Sequence, residues 1–121
     1  MVQEHTKFKL FTKEYSSEEH INQLLEEIEK WVSNEKIAPK SIGVEFLEKA
    51  KYIVMSIGYR DDEDYNVKLS CSHIDKIELN VDYSKIENKM SDAASKHKNI
   101  ICHELFITDS NNFYMIFMTK I

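Results

Sequence analysis

The sequence predicts an α+β fold, in which an antiparallel or mixed sheet carries two helices on one face. Two segments have apolar residues at helical spacing, and each begins with an S-x-x-E motif. Most of the remaining chain alternates apolar and polar residues with period two, in segments separated by short polar turns. With 121 residues and 42% hydrophobic content, we expect a single domain over residues 1–121.

The first strand is predicted over residues 7–11, where charged and apolar residues alternate and place Phe8 and Leu10 on one face. A helix follows, because Ser16 and Glu19 form a capping box in which Ser16 accepts from a free backbone N–H and Glu19 reaches back to the cap. The helix is expected to bury an apolar stripe formed by Ile21, Leu24, Leu25, Ile28, Trp31 and Val32.

Pro39 ends this helix near residues 34–37, since proline cannot continue a helix and disfavours helical geometry before it. Residues 42–47 and 51–59 then predict a strand pair, and the second of these is apolar on both faces, as is typical of a central strand. Residues 66–74 alternate strictly, which predicts a half-buried strand that pairs with the preceding one through an acidic turn.

The rest of the chain predicts a short strand, a helix and a hairpin. Residues 77–81 continue the alternation as a short strand or an extension after a bulge. A second helix begins at Asp82 or Ser84 and runs to about Lys98. Its buried face is expected to consist of Ile86, Met90, Ala93 and His97.

The closing hairpin is predicted over residues 100–107 and 113–119. Its last strand is apolar on both faces. If this strand lies at an edge of the sheet, the pattern favours sheet-to-sheet or edge-to-edge dimerisation. The alternative is that the strand is central in the sheet. The order of elements also suggests two tandem βαββ units, over residues 7–60 and 66–121.

The first of these units contains residues 7–11 (KFKLF), a Glu-rich helix, residues 42–46 (IGVEF) and residues 52–60 (YIVMSIGYR). In these segments it resembles a family of very small sporulation proteins of low-GC Gram-positive bacteria. The biochemical function of that family is undefined, so the resemblance implies a structural unit and no functional residue. Few arginines and abundant Ile, Asn and Lys are typical of an AT-rich genome, such as that of these bacteria or one of their phages.

Composition argues against several function classes. The net charge is −5, and Arg60 is the single arginine, which disfavours phosphate and base recognition and therefore a nucleic-acid partner. No apolar run is long enough to span a membrane, and the start of the chain has no signal-peptide core, so we expect a cytoplasmic protein with no membrane partner. The two cysteines fit reduced thiols in that compartment.

Metal binding is considered because Cys71, His73, Cys102 and His103 are residue types that bind zinc. Adjacent residues of a strand point to opposite faces, so Cys102 and His103 cannot join one site without a bulge. The sequence therefore predicts no metal ligands and no cofactor.

Catalysis has equally little support. Glu45 and Glu104 occupy matching positions after the two helices and would form a hydrolase carboxylate pair if the halves faced each other. A Cys-His nucleophile lacks a third orienting group and an evident oxyanion site. Solvent-facing glutamates and buried cysteines are the simpler interpretation, and no catalytic residue is predicted.

The most localised charge of the chain is an acidic run flanked by aromatic residues. Tyrosine and arginine are enriched in interfaces, so this loop is predicted to contact a partner. The candidate residues are Tyr59, Arg60, Asp61, Asp62, Glu63, Asp64 and Tyr65.

The function predicted from these observations is a small non-enzymatic protein-binding module that forms a homodimer. One alternative is a small-molecule binding or sequestering protein with a pocket between the repeats or between subunits. The composition also allows this protein to be encoded by a phage. A second alternative is an acidic inhibitor of a nucleic-acid-binding protein. The identity of the protein partner is left open.

Overall fold

The computed structural model describes residues 6–108 and 110–121, in which the order β-α-β-β occurs twice. This order confirms the α+β class. The elements are β1 (Lys7–Glu14), α1 (Glu18–Glu35), β2 (Ala38–Leu47), β3 (Tyr52–Arg60), β4 (Val67–Lys76), α2 (Tyr83–Ser95), β5 (Ile100–Ile107) and β6 (Asn112–Lys120).

The strands form two three-stranded antiparallel sheets built on the same plan. The N-terminal sheet has the order β1-β3-β2 and the C-terminal sheet the order β4-β6-β5, so the last strand of each unit is central. The sheets meet along β2 and β5. These strands run in the same direction, since the Ile42 backbone contacts the Cys102 thiol, and Phe46 and Phe106, each four residues further along its strand, line one cleft.

The expected pairing of the third and fourth strands was wrong. Both edges of β3 are already occupied, by β1 on one side and β2 on the other, so β4 pairs with β6 instead. The short strand expected over residues 77–81 was also wrong, because this segment is a loop in which the side chain of Leu79 is 97% exposed.

The two helices lie on opposite faces of the C-terminal sheet, so the prediction that both cover one face was wrong. The apolar stripe of α1 is confirmed, and it packs in one core with residues of both sheets. Along β6, Tyr114, Ile116 and Met118 belong to the α1 core, whereas Phe113, Met115 and Phe117 pack with α2. The strand β6 is therefore central and covered on both faces, which removes the edge from which dimerisation was inferred.

Helix α1 also closes the outer edge of the C-terminal sheet. The backbone N–H of Leu69 in β4 donates to Glu29 Oε1 at 2.8 Å. An edge strand leaves outward-facing backbone N–H and C=O groups unpaired unless something covers the edge. At Leu69 the Glu29 carboxylate provides the acceptor that a further strand would otherwise supply.

The helix boundaries differ in part from the predicted ones. Ser17, with an extended backbone, is the N-cap of α1, and His20 Nδ1 accepts from the backbone N–H of Ser16 at 3.0 Å. The predicted capping box of Ser16 and Glu19 was therefore wrong, because the N-cap is one residue later and the Ser17 side chain makes no capping hydrogen bond. Asp82 caps α2 by accepting from the N–H of Ser84 at 3.0 Å, which confirms one of the two predicted starts.

Candidate binding surface

Within residues 6–108 and 110–121, only one face of the N-terminal sheet is covered. Its covered face contributes Ile42, Ile53, Met55 and Ile57 to the α1 core. The residues that alternate with these form the other face, which we call the open face. Its members are Phe8, Leu10, Thr12 and Glu14 of β1, Tyr52, Val54, Ser56 and Gly58 of β3, and Ser41, Gly43, Glu45 and Leu47 of β2.

The β1 side of the open face is a ridge formed by Phe8 and Leu10, whose side chains are 70% and 65% exposed. Their shared face was predicted, but the structure directs it away from the core. The reason lies on the reverse of the strand, where the Phe11 ring meets Trp31 of α1 edge-to-face at 5.5 Å. Once Phe11 is fixed inward, the period-two alternation sends Phe8 and Leu10 outward.

The β2 side of the open face is a trough of small residues. A Cβ atom at Gly43 would lie 2.7 Å from Ser56 Oγ, and one at Gly58 would overlap Ser41 Oγ. The Cβ position at Gly58 is also 3.3 Å from Phe8 Cε1, so the Phe8 ring lies over this glycine. Two glycines within strands signal such a close approach, and this signal could have located the surface from the sequence.

The loop predicted to contact a partner is paired within the chain. Asp61 accepts from Lys7 Nζ at 2.5 Å, and Glu63 accepts from Lys40 Nζ at 3.1 Å. Asp62 accepts from both Nε and Nη2 of Arg60. The hydrogen bond from Lys7 lowers the pKa of Asp61, and the one from Arg60 lowers the pKa of Asp62.

The tyrosines that flank this loop have structural contacts. Tyr59 meets Trp31 edge-to-face at 5.0 Å. Tyr65 donates its hydroxyl proton to the carbonyl of Pro39 at 2.6 Å, and the ammonium of Lys120 lies 4.7 Å from its ring centre. The structure thus gathers the predicted residues at one end of the N-terminal sheet, where its own cations neutralise much of the acidic charge.

Two clefts lie along the junction of β2 and β5. One of about 480 Å³ is lined by Glu45 and Glu104, together with Leu10 of the ridge. The carboxylate of Glu104 accepts from the N–H of Leu105 at 2.9 Å, so it is held against its own backbone. The second cleft, of about 360 Å³, is open to solvent and has Glu45 in its wall. Its other lining residues have apolar side chains: Val44, Phe46, Leu105, Phe106, Ile107 and Phe113.

The cysteine and histidine residues do not converge. Burial raises the pKa of the Cys71 thiol to about 12 and that of Cys102 to about 11. His73 Nε2 lies 3.0 Å from Asn112 Oδ1, and His103 is exposed. Within residues 6–108 and 110–121, no three His, Cys, Asp or Glu residues are grouped closely enough to hold a metal ion.

Comparison with known proteins gives no match to a protein-family model, and neither the curated proteins nor the solved structures show a significant similarity to this chain. The resemblance of the first half to small sporulation proteins therefore stays a prediction. Neither helix of the described chain combines the length and the apolar character needed to cross a membrane.

Proposed function

We propose that the protein is a non-enzymatic binding module of the cytoplasm, and that it docks another protein surface on the open face. The observation that carries the proposal is the Phe8 and Leu10 ridge on a sheet whose reverse face packs against α1. Contiguous exposed apolar side chains on a folded protein are typical of interaction sites. Tyr52 and Leu47 extend the apolar surface, each less than half exposed.

The test compares capture by two variants with matched substitutions. Tagged wild-type protein, Leu10→Asp and Leu79→Asp are crosslinked in an extract, and the captured proteins are quantified by mass spectrometry. Leu79 is the matched control, because it is even more exposed and lies in the loop before α2. We expect a partner that is retained by wild type and Leu79→Asp and lost from Leu10→Asp. Equal capture by both variants would contradict the proposal.

The acidic loop remains a second predicted contact, and its test is separate. Replacing residues 61–64 by Ser and Asn removes the negative charges and leaves Lys7, Lys40 and Arg60 without these partners. If the loop forms part of the docking surface, capture falls while the far-ultraviolet circular dichroism is unchanged. Unchanged capture would restrict binding to the open face. Because Asp61, Asp62 and Glu63 are already paired with cations of this chain, the acidic-inhibitor alternative has less unneutralised negative charge to act with.

A ligand-binding function is the second candidate, and the phenylalanine-lined cleft at the sheet junction favours it. Phe46, Phe106 and Phe113 line this cleft, which is of a size that small ligands occupy. Native mass spectrometry of gently purified protein would show a bound ligand as additional mass. If it does, Phe106→Ala should lose that mass and Leu10→Asp should keep it.

A further inference from the structure

We propose that the open face is occupied by a second copy of this chain, related by a twofold axis that runs parallel to the strands and above β3. This inference rests on the proposed function and names its partner. The resulting dimer is a sandwich of two N-terminal sheets, with the α1 layers on the outside.

The strand registers make the open face self-complementary under this axis. Leu10, Ser56 and Gly43 lie in one row across the sheet. An axis parallel to the strands and centred on β3 exchanges the two sides of each row. Leu10 of one copy then lies over Gly43 of the other.

The neighbouring rows fit in the same way. Phe8, Gly58 and Ser41 form the next row, so Phe8 of one copy lies over Ser41 of the other. In the row on the other side, Glu45 is exchanged with Thr12, whose hydroxyl can donate to the carboxylate. In the last row, at the strand ends, Glu14 is exchanged with Leu47, so the methylene groups of Glu14 lie over the leucine and its carboxylate lies at the rim of the interface. Each ridge thus enters the opposite trough, which is the arrangement an isologous interface requires.

The twofold axis perpendicular to the strands is a worse solution. It places β1 over β1, so that Phe8 and Leu10 of the two copies compete for the same space. It also places β2 over β2, which brings the two Glu45 carboxylates to the same side of the interface and leaves the glycine troughs facing each other. Overlapping ridges, facing voids and like charges are all unfavourable.

The area available is sufficient for a specific dimer. With about 200 Å² for a fully exposed aromatic side chain, the exposed parts of Phe8, Leu10, Leu47 and Tyr52 amount to about 400 Å². The strand surface around them brings each copy to roughly 600 Å² and the dimer to about 1,200 Å², which is the lower limit of the size range of stable interfaces.

Pairing of two copies through sheet edges is disfavoured. Lys7, Lys9 and Lys13 alternate along the same face of the edge strand β1, so two antiparallel β1 strands would bring lysines opposite lysines. At the other outer edge, Glu29 already occupies the N–H of Leu69. Contact between copies is therefore directed to the open face.

The test is the molar mass of the purified full chain over a concentration series, measured by light scattering after size exclusion. We expect wild type to approach twice the 14.3 kDa of one chain at micromolar concentrations. Leu10→Asp should raise the dimer dissociation constant at least about 100-fold, since each dimer loses two buried leucines. Leu79→Asp should behave as wild type. Leu10→Ser, checked by circular dichroism, replaces Leu10→Asp if the aspartate impairs folding.

Crosslinking tests the orientation of the dimer. Ser56 lies on the central strand, beneath the axis, so the two Ser56 positions of the dimer face each other. In the Ser56→Cys variant, a bis-maleimide that spans the sheet spacing of about 10 Å should therefore join the introduced cysteines of the two chains. A wild-type dimer that Leu10→Asp leaves intact would overturn the inference, as would an efficient dimer that Ser56→Cys cannot crosslink.

A wild-type chain that stays monomeric at every concentration would also overturn it. In that case the capture experiment decides the proposed function independently, because loss of a different protein from Leu10→Asp would show that the open face binds another partner.

Discussion

Removing the Glu29 carboxylate tests how α1 is joined to the C-terminal sheet. Glu29 Oε1 accepts from the N–H of Leu69 at 2.8 Å, across 40 residues of sequence. Leu69 is buried, and the paired neighbour of β4 is β6, on its other side, so Glu29→Ala leaves this N–H without its protein acceptor. An unpaired buried donor costs about 1–3 kcal/mol, and we take about 2 kcal/mol.

For a chain of this length, that loss corresponds to a decrease in Tm of about 8 °C. Thermal and urea unfolding, followed by circular dichroism, measure it. Glu29→Gln keeps an oxygen acceptor and should lose less stability than Glu29→Ala. Glu26→Ala, on the exposed face of the same helix, should change the free energy of unfolding by less than about 0.5 kcal/mol.

Amide hydrogen exchange adds a local measurement. The Leu69 amide should exchange faster in Glu29→Ala than in Glu26→Ala, because its acceptor is gone. If the two alanine variants have the same Tm and the same Leu69 exchange rate, the proposed link between α1 and the edge of β4 is refuted.

Three further perturbations have defined outcomes. Gly58→Ala should lower the free energy of unfolding by about 1–3 kcal/mol, because its Cβ overlaps Ser41 Oγ and presses on Phe8. Adding Ser41→Ala should restore part of this loss. Equal stability of the single and double variants would contradict this. At pH 8, Cys71 and Cys102 should react with a disulfide reagent at least about 100-fold more slowly in the native protein than in denaturant. The reason is that burial raises the pKa of each thiol in the native protein. Equal reaction rates would show that these thiols are accessible. Hydrogen bonds from basic side chains lower the pKa of three aspartates; the pairs are Lys7 with Asp61, Arg60 with Asp62, and Lys89 with Asp75. These pairs stabilise the folded state at pH values above the unfolded carboxyl pKa of about 3.9. Their contribution to stability is lost as the pH falls through the lower pKa values of the folded state. A variant with Asn at all three positions should therefore lose less stability between pH 5 and pH 2 than wild type, as measured by urea unfolding.

Local elements of the fold were readable from the sequence, because their signals are local. The stripe from Ile21 to Val32 repeats at helical spacing, and all five of its members other than Trp31 are fully buried. The closing hairpin has two alternating segments around a turn, and the structure pairs them as β5 and β6; Asp109 of that turn lies outside the described residues.

Strand partners and sheet faces were harder to predict. Alternation in β4 shows that it has two different faces but carries no information on which strand lies beside it. In β1 the same alternation separates Phe8 and Leu10 from Phe11, yet the ring contact with Trp31 decides which set faces inward. That contact joins residues 20 positions apart and depends on how α1 is seated.

The candidate site illustrates the same limit. The acidic run was visible in the sequence, whereas its cations come from distant positions, such as Lys7, which is 54 residues away from Asp61. Exposure of Phe8 and Leu10 depends on α2 lying over the other sheet, which follows from the pairing of β4 with β6. Neither relation has a signature in the local pattern of residues.

The central claim is that the open face is a binding surface, and hydroxyl-radical footprinting tests it most directly. The reactivity of Phe8 and Leu10 is measured relative to that of Leu79, in dilute protein, in concentrated protein and in extract. After division by the intrinsic reactivity of each residue type, we expect the ratio to match the exposed fractions in dilute protein and to fall when a second copy or another partner is present. A ratio that stays constant in all three conditions would contradict the claim.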